Sequence, residues 1–179
     1  MRIIGGKYRS RKINMVGIET TRETTDMVRE SIFNLLSLIQ VKGVGLDLFS
    51  GSGAMGLEGL SRGLDFCFFN DLNRKAYKTT LDNIKLMDLM NQTKVFNLEY
   101  TKALNLINLK LDFVFLDPPY KLNVINEILK TMIQKDLLNE GAFIIIEADK
   151  EFALEEMEEY YLYKERIYGI RKIVILKRK

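Results

Sequence analysis

The chain contains no histidine and a single cysteine, and these two absences narrow its chemistry. Histidine is the residue most used for acid–base catalysis near neutral pH and the commonest protein ligand of metal ions. Because structural zinc sites depend on cysteine and histidine, we expect no metal site. Cys67 has no second cysteine with which to form a disulfide, which favours a reducing compartment, the cytoplasm. Any catalysis must therefore depend on carboxylates, hydroxyls, amines or backbone groups.

Long apolar segments are also absent from the sequence. No apolar run approaches the roughly 20 residues of a membrane-spanning helix, and the basic start "MRIIGGKYRSRK" lacks the apolar core of a signal peptide. The composition, with 47% apolar and 28% charged residues in a chain of 179, is typical of one soluble globular domain. We therefore expect a cytoplasmic protein that binds no membrane.

Charge is distributed unevenly along the chain. Residues 1–15 hold five basic side chains and no acidic one, and residues 164–179 hold seven basic and one acidic. The remaining body has fifteen basic and twenty-three acidic residues, although the whole chain has a net charge of +3. Basic ends on an acidic body favour binding to a polyanion such as RNA. The alternative is that the terminal lysines and arginines only increase solubility.

Apolar stretches alternate with amphipathic stretches through the middle of the chain, which predicts alternating strands and helices. The predicted strands are "VGLDLFS", "DFCFFND", "TKVFNLE", "LDFVFLD" and "GAFIIIEA". These nearly continuous apolar runs are typical of a parallel sheet covered by helices on both faces, an α/β fold. The predicted helices are "AMGLEGLSRG", which ends at Gly63, "NRKAYKTTLDNIKLM", "TKALNLI" and "LNVINEILKTMIQK".

Both ends of the chain depart from this alternation. Gly5 and Gly6 lie between two short stretches with strand propensity, which predicts a hairpin. A helix capped by Thr24 or Thr25 follows it. Near the other end, "EFALEEMEEYY" is predicted to be helical, and "YLYKERIYG" and "RKIVILK" are predicted to form an antiparallel hairpin around Gly169.

A glycine-rich motif follows the first strand of the alternating region. Gly51, Gly53 and Gly56 form the pattern G-x-G-x-x-G between a strand and a helix, where glycine permits a sharp turn and the close approach of a ligand. The pattern alone is weak, because it fits a dinucleotide, another ligand that contains adenosine, or a tight turn that binds nothing.

Three acids at the ends of neighbouring strands help to choose between these ligands. Asp47 lies in the first strand, Asp71 follows the second, and Glu99 follows the third. A carboxylate in the position of Asp71 typically accepts hydrogen bonds from ribose hydroxyls. Three carboxylates suit adenosine joined to a cation better than adenosine joined to phosphates. We therefore favour S-adenosylmethionine, which carries a sulfonium and an ammonium group.

Both prolines of the chain, Pro118 and Pro119, follow Asp117 at the end of the strand "LDFVFLD". Proline fixes its own φ and restricts the residue before it, so Asp117 should have a rigid backbone with a carbonyl close by. A carboxylate beside a carbonyl suits an NH₂ group, which has two hydrogens to donate. Tyr120 can stack on the base that carries this amine. The alternative is a turn that ends the strand around a buried tyrosine.

Such a site would activate the amine without a histidine. The lone pair of an exocyclic amine is delocalised into its ring, and hydrogen bonds from both of its hydrogens favour a more tetrahedral nitrogen. The methyl group of S-adenosylmethionine is already bound to a sulfonium and needs no further activation. Catalysis can therefore depend mainly on positioning and electrostatics.

Together these motifs resemble those of the amino-group methyltransferases that use S-adenosylmethionine. "DLFSGSG" resembles the first motif of that class, and "DPPY" resembles its catalytic motif. With "MRIIGGKYRSRKI", "TRETTDMVRESIFNLL", "AMGLEGLSRG" and "YGIRKIVIL", nearly the whole chain resembles the RsmD family of 16S rRNA guanine-N2 methyltransferases. The chain departs from the usual family residues at four positions, Tyr8, Glu23, Asp71 and Glu99.

The resemblance implies a Rossmann-like α/β fold with a seven-stranded, mostly parallel sheet. The last strand would be antiparallel, helices would cover both faces, and a small β-hairpin would extend from the N-terminus. We therefore divide the chain into a basic RNA-binding extension, residues 1–22, and a methyltransferase domain, residues 23–179.

The resemblance also implies the reaction and the partner. The expected reaction transfers a methyl group from S-adenosylmethionine to the N2 amine of one guanine in 16S rRNA, with guanine-966 as the family expectation. The expected partner is 16S rRNA in the small ribosomal subunit or in an intermediate of its assembly. We expect the protein to act as a monomer.

The resemblance assigns three groups of residues. The catalytic group is Asp117, Pro118, Pro119 and Tyr120. The cofactor-binding group is Asp47, Phe49, Gly51, Gly53, Asp71, Leu72, Glu99 and Tyr100. The RNA-binding group is Arg2, Lys7, Tyr8, Arg9, Arg11, Lys12, Arg22 and Arg29.

Other interpretations of the sequence stay open. One alternative is an enzyme that methylates a different amine, such as adenine N6 in DNA or RNA, and another is a non-catalytic RNA-binding assembly factor. Arg29 also has a local alternative to RNA, because it lies three residues after Asp26 on the same predicted helix and these two side chains can pair.

Overall fold

A single seven-stranded sheet forms the centre of the computed structural model, which describes residues 1–17, 26–119 and 122–179. The strands are β1 (Val44–Asp47), β2 (Phe66–Asn70), β3 (Thr93–Phe96), β4 (Leu111–Leu116), β5 (Leu138–Asp149), β6 (Tyr160–Tyr168) and β7 (Arg171–Arg178). Their order is β3-β2-β1-β4-β5-β7-β6. The first five strands pair in parallel, and β7 is antiparallel to both of its neighbours. This architecture confirms the predicted Rossmann-like α/β fold.

Helices cover both faces of the sheet. In the described residues they are α1 (Asp26–Leu35), α2 (Ala54–Arg62), α3 (Arg74–Leu86), α4 (Tyr100–Leu106) and α5 (Ile125–Gln134), with a 3₁₀ turn at Met90–Gln92. Helices α1 to α3 pack on one face, and α4 and α5 pack on the other. None of these helices has both the length and the apolar character needed to cross a membrane.

The two helical layers explain why the strands are apolar along their whole length. In β2, Phe68 packs into the core beneath α4 and α5, whereas Cys67 and Phe69 pack into the core beneath α1 to α3. Because alternate residues of a strand point to opposite faces, both sets must be apolar. The predicted helix cap at Thr24 or Thr25 lies outside the described residues.

The N-terminal segment, residues 1–17, forms the predicted hairpin in a reduced form. It contains one antiparallel bridge, between Arg2 and Lys12. The turn between these two residues is bound to α2, where the N–H of Lys7 donates to the carbonyl of Ser61 at 2.7 Å. The segment therefore packs along the body of the protein.

The acidic stretch that was predicted to be helical has no helix. Residues 151–159, here called the acidic strap, run past the start of α5 as an irregular segment. The side chain of Asn126 holds the strap by donating to the carbonyl of Ala153 and accepting the N–H of Glu155, at 3.2 and 3.1 Å. The prediction was wrong for two reasons. Glutamates spaced three or four residues apart repel one another in a helix. The hydrogen bonds to Asn126 also satisfy backbone groups of the strap that a helix would otherwise satisfy.

The C-terminal hairpin matches its prediction. Strands β6 and β7 pair in antiparallel fashion around Gly169, which has a φ of +62°. A positive φ is easily adopted by glycine because it has no Cβ. The hairpin places β7 beside β5, so the antiparallel part of the sheet lies at the edge opposite β3.

Candidate active site

The candidate site lies where the chain changes direction across the sheet. Strands β1 and β4 are neighbours, and the strands that follow each of them extend toward opposite edges. In open α/β sheets, ligands bind at the carboxyl ends of the strands at such a switch point. The carboxyl ends of β1 to β4 carry Asp47, Asp71, Glu99 and Asp117, so the topology brings all four predicted acids to one rim.

The glycine loop, residues 48–53, connects β1 to α2, and two of its glycines lie in the left-handed region. Gly51 has a φ of +54° and Gly53 a φ of +81°. A Cβ added to Gly51 would meet nothing within 4 Å, whereas one added to Gly53 would lie 3.1 Å from the side chain of Thr80. The backbone at Gly51 therefore faces open space, which leaves room for a ligand.

Gly56, the last glycine of the motif, has a different role. It lies inside α2, and a Cβ at this position would come within 2.3 Å of the ring of Phe69. This glycine therefore allows α2 to pack closely on β2, which fixes the direction of the helix that begins at the glycine loop.

Asp47 ends β1 and points its carboxylate at the first turn of α2. Its Oδ2 accepts the N–H of Gly56 at 2.9 Å. Burial raises the pKa of the Asp47 carboxyl to about 7 against the opposing effect of this hydrogen bond, and the negative charge of Asp71 adds to the rise. A cation bound nearby would favour the ionised form of Asp47.

Asp71 follows β2 and holds the glycine loop in place. Its Oδ2 accepts the N–H of Gly51 at 2.9 Å, and its Oδ1 accepts the N–H of Asn73 at 2.8 Å. Burial raises the pKa of the Asp71 carboxyl, while these two hydrogen bonds oppose the rise. Each oxygen has a further lone pair, so the carboxylate can also accept ligand hydroxyls.

The remaining cofactor candidates lie along the same rim. Glu99 caps α4, where its carboxylate accepts the N–H of Thr101 at 3.0 Å. Phe49 and Tyr100 have ring centroids 6.0 Å apart, and the Tyr100 hydroxyl donates to Glu127 at 3.3 Å. Burial and the charge of Glu127 raise the pKa of Tyr100.

Leu72 is different from the other candidates because its side chain is 69% exposed. It directly follows Asp71, whose carboxylate holds the glycine loop. An apolar side chain at this point can cover one face of a ligand that Asp71 holds.

The predicted catalytic motif, which starts at Asp117, begins directly after β4. Asp47 is in register with Phe115, and the N–H of Leu48 donates to the Phe115 carbonyl at 3.2 Å, so Asp117 lies at the rim beside the start of the glycine loop. Asp117 is half-buried, Pro118 is buried, and Pro119 is exposed.

The backbone of the motif leaves one rigid acceptor at this rim. The Pro119 carbonyl accepts the N–H of Leu122 at 2.9 Å. Among the described residues, no backbone N–H donates to the Pro118 carbonyl. Tyr120 lies outside the described residues.

Most of the predicted RNA-binding side chains lie on the surface of the N-terminal segment. Arg2, Lys7, Arg9, Arg11 and Lys12 are exposed, and Tyr8 is half-buried. The Lys7 ammonium and the Arg11 guanidinium lie 5.2 and 5.4 Å from the centre of the Tyr8 ring. Such a cluster of cations around an aromatic ring suits phosphates and unpaired bases. Arg22 lies outside the described residues.

Arg29 does not face solvent, so its predicted contact with RNA is wrong. The side chain is fully buried, where it pairs with Asp26 at 3.0 Å and with Glu58 at 3.6 Å. It also donates to the carbonyl of Arg2. The local pairing with Asp26 is therefore the correct alternative, and Arg29 attaches the N-terminal segment to α1 and α2.

A separate cleft of about 540 Å³ opens at the opposite rim of the sheet. Phe33, Gln40 and Arg62 are among the residues that line it, near the amino ends of β1 and β2. Its lining includes none of the four acids of the candidate site, Asp47, Asp71, Glu99 and Asp117, and none of the glycines of the glycine motif. Within the described residues, no cluster of three or more carboxylate or cysteine side chains is placed to hold a metal ion.

Comparison with known proteins decides the family. The family model described as "Conserved hypothetical protein 95" matches residues 1–177. The chain belongs to this family. Its curated relatives include Ribosomal RNA small subunit methyltransferase D of Escherichia coli strain K12, 31% identical over 94% of this chain and 85% of its own length. The prediction of the RsmD family is therefore confirmed.

Further similar proteins support the same assignment. The YlbH protein of Bacillus subtilis strain 168 is 36% identical, with 100% of both chains covered. The solved structure of the Escherichia coli yhhF protein is 28% identical and has a TM-score of 0.88, covering 100% of this chain and 98% of its own. An RNA methyltransferase from Salinibacter ruber, solved with S-adenosyl-L-homocysteine, has a TM-score of 0.63 at 11% identity, over 88% of this chain and 94% of its own. This last similarity shows a shared fold.

The structure of this RsmD-family chain also contains supporting residues that sequence analysis missed. Asn70 ends β2, where its amide donates to the carbonyls of Leu48 and Leu98 at 3.3 and 3.1 Å and thereby joins three strand ends. Thr80, on α3, donates to the Gly51 carbonyl at 3.0 Å. The only local signal for Asn70 is one amide at the end of an apolar strand, and Thr80 has none.

Proposed function

We propose that this protein transfers a methyl group from S-adenosylmethionine to the exocyclic N2 amine of a guanine in 16S rRNA. The observation that carries the proposal is the position of Asp117 and Pro118 on the same rim as the glycine loop, at the switch point between β1 and β4. Membership of the RsmD family supports the same reaction.

The residues of the rim fit S-adenosylmethionine. The open space over Gly51 leaves room for the adenosine, and Asp71 offers lone pairs to the ribose hydroxyls. Burial raises the pKa of Asp47, and the sulfonium and ammonium groups of the cofactor would favour its ionised form. When bound, S-adenosylmethionine supplies an electrophilic methyl group on a positively charged sulfur.

The target amine lies against Asp117 and Pro118 in the proposed complex. The Asp117 carboxylate and the Pro118 carbonyl each accept one of its N–H groups, which orients the nitrogen lone pair toward the methyl group. As the N–C bond formed, the bond between the methyl group and the cofactor sulfur would break and leave S-adenosylhomocysteine. The Asp117 carboxylate would accept the proton that the nitrogen releases. Tyr120 stacks on the guanine and holds its plane. Because a paired guanine keeps its N2 amine in the minor groove, the nucleotide must be unpaired or flipped out of the stack.

The proposed partner is the small ribosomal subunit or an intermediate of its assembly, and the protein acts as a monomer in the cytoplasm. The exposed cations of the N-terminal segment bind phosphates and hold the RNA beside the rim.

Labelled methyl transfer followed by nucleoside analysis tests the reaction. The protein is incubated with tritium-labelled S-adenosylmethionine and either undermodified 16S rRNA or undermodified small subunits. We expect labelled N2-methylguanine at one position, and mass mapping will show whether it is guanine-966. Label on adenine N6 would replace the proposed substrate with another amine. Binding of RNA without methyl transfer would leave only an assembly factor.

A further inference from the structure

One buried side chain connects the glycine loop to the N-terminal segment. Asn83 lies on α3 and is fully buried. Its amide nitrogen donates to the carbonyl of Ser52, in the glycine loop, at 2.8 Å, and to the carbonyl of Asn14, in the N-terminal segment, at 3.0 Å. Its carbonyl oxygen accepts the N–H of Asn14 at 2.7 Å. A single amide therefore holds two segments that are 38 positions apart in the sequence.

Both hydrogen-bond donors of the Asn83 side chain are committed to this connection. A primary amide has two N–H donors, and both are used, one on each side. Buried hydrogen bonds of this kind are costly to break, because each lost partner leaves a polar group without water. The glycine loop and Asn14 therefore cannot move apart without disrupting a buried network.

Two further observations show how the N-terminal segment is held against the body of the protein near Asn14. The Lys75 ammonium, also on α3, donates to the carbonyl of Gly17 at 3.0 Å. The side chain of Val16, between Asn14 and Gly17, is buried. The stretch 14–17 is thus fixed along α3 on the side of the glycine loop.

The two connected segments have different ligands in the proposed function. The glycine loop approaches the cofactor, since Gly51 faces open space and is held by Asp71. The N-terminal segment carries the exposed cations Arg2, Lys7, Arg9, Arg11 and Lys12, which bind phosphates. The Asn83 side chain connects these two segments and is itself fully buried, away from both surfaces.

We propose that Asn83 is a positioning residue that couples cofactor binding to RNA binding, an inference that rests on the function proposed above. Ordering of the glycine loop by S-adenosylmethionine orders the backbone at Asn14, and RNA bound to the N-terminal segment orders the loop in return. Because such coupling is reciprocal, each ligand must increase the affinity of the other by the same factor. We expect this factor to be about tenfold, within the usual range for coupled sites.

A double-ligand titration measures the coupling directly. The Kd of S-adenosyl-L-homocysteine is measured by calorimetry with and without saturating 16S rRNA, and the Kd of the RNA is measured with and without the ligand. Asn83→Leu removes all three hydrogen bonds at similar volume, and Lys75→Met removes the contact with Gly17 at an exposed position.

Two control variants separate coupling from general damage. Asn14→Ala changes an exposed side chain and keeps the hydrogen bonds to Asn83, because Asn14 makes them with its backbone N–H and carbonyl. Thr80→Val removes a hydrogen bond from the same helix to the Gly51 carbonyl but leaves the N-terminal segment untouched. Asn14→Ala should behave as wild type, and Thr80→Val should weaken cofactor binding but keep the coupling factor.

The expected result is a coupling factor within about twofold of one in Asn83→Leu and at least a twofold reduction in Lys75→Met. If Asn83→Leu fails to fold, the coupling factor measured for Lys75→Met tests the inference alone. Unchanged coupling in the folded variants would overturn the inference, as would wild-type protein that binds both ligands independently. A wild-type protein that binds neither ligand would instead remove the proposed function itself.

Discussion

Asp71 accepts the backbone N–H of Gly51 at 2.9 Å, and this contact ties the end of β2 to the glycine loop. The same carboxylate accepts the N–H of Asn73 with its other oxygen, at the cap of α3. One side chain therefore shapes the loop and also presents an acceptor to whatever binds above it.

Replacing Asp71 with alanine should weaken cofactor binding. The variant loses the proposed ribose acceptor and the hydrogen bond that holds Gly51. We therefore expect the Kd of S-adenosylmethionine to rise at least about tenfold, equivalent to roughly 1.4 kcal/mol. Calorimetry measures it directly. Asp82→Ala, an exposed change on α3, is the control and should bind as wild type. An Asp71→Ala protein with normal affinity would remove Asp71 from the cofactor site.

Replacing Asp117 with alanine should stop methyl transfer without affecting cofactor binding. The variant removes one of the two proposed acceptors for the target amine, and loss of a comparable electrostatic contact costs about 10²–10³ in kcat. Single-turnover transfer of labelled methyl measures the chemical step, and calorimetry checks that the Kd of S-adenosylmethionine stays within about twofold. Normal turnover in this variant would mean that another group accepts the amine.

Stability should depend on pH through Asp47. Its pKa is about 7 in the folded protein against an ordinary 3.8, so the folded state holds a proton that the unfolded chain has released. The stabilisation of the folded state by this proton is therefore fully present below about pH 4 and is lost as the pH rises through 7. We expect a loss of a few kcal/mol, since one pKa unit corresponds to about 1.4 kcal/mol. Urea unfolding of wild type and Asp47→Asn across this range isolates the effect, and parallel curves for the two proteins would contradict it.

Two glycine-to-alanine variants should fail in different ways. Gly51→Ala places a methyl group in open space, so the protein should fold with a small loss of stability but bind S-adenosylmethionine poorly. Gly56→Ala forces a methyl group against the Phe69 ring and should cost about 1–3 kcal/mol of stability. Thermal unfolding and calorimetry on both variants separate these effects. Normal cofactor affinity in Gly51→Ala would show that the ligand lies elsewhere.

Substitutions of exposed cations and of the buried Arg29 should have different effects. Lys7→Gln and Arg9→Gln should keep the fold, weaken RNA binding, and each lower the slope of log Kd against log salt by about one. Arg29→Ala should instead destabilise the protein by about 1–3 kcal/mol, because the buried Glu58 loses one of its two cationic partners and the carbonyl of Arg2 loses a donor. Filter binding at several salt concentrations and urea unfolding measure the two outcomes. An unchanged salt slope in Lys7→Gln would place Lys7 outside the RNA interface.

The sequence was sufficient to predict the sheet and the rim because their signals are local. A strand such as β2 must be apolar at Cys67, Phe68 and Phe69 alike when helices cover both faces. The glycine motif likewise reflects requirements within a few residues of itself, as the close contact between Gly56 and Phe69 shows.

The errors and omissions have a different origin, because they concern residues whose partners are distant in sequence. Arg29 looks like a surface cation until Glu58, on another helix, is placed beside it. Asn83 is an ordinary polar residue of α3 until Asn14 and Ser52 close around it. The acidic strap was misassigned because its backbone is held by Asn126, a residue of α5.

The buried carboxylate of Glu58 also limits how the amino end of the chain can be altered. It accepts the backbone N–H groups of Ile4 and Gly5, both at 2.8 Å, while also pairing with Arg62. A truncation that deletes the first five residues would strip this carboxylate of two donors, so it would damage the body of the protein as well as the proposed RNA contacts. Loss of activity in a shortened protein would thus say little about RNA, and fusion of a bulky tag directly to Met1 carries the same risk.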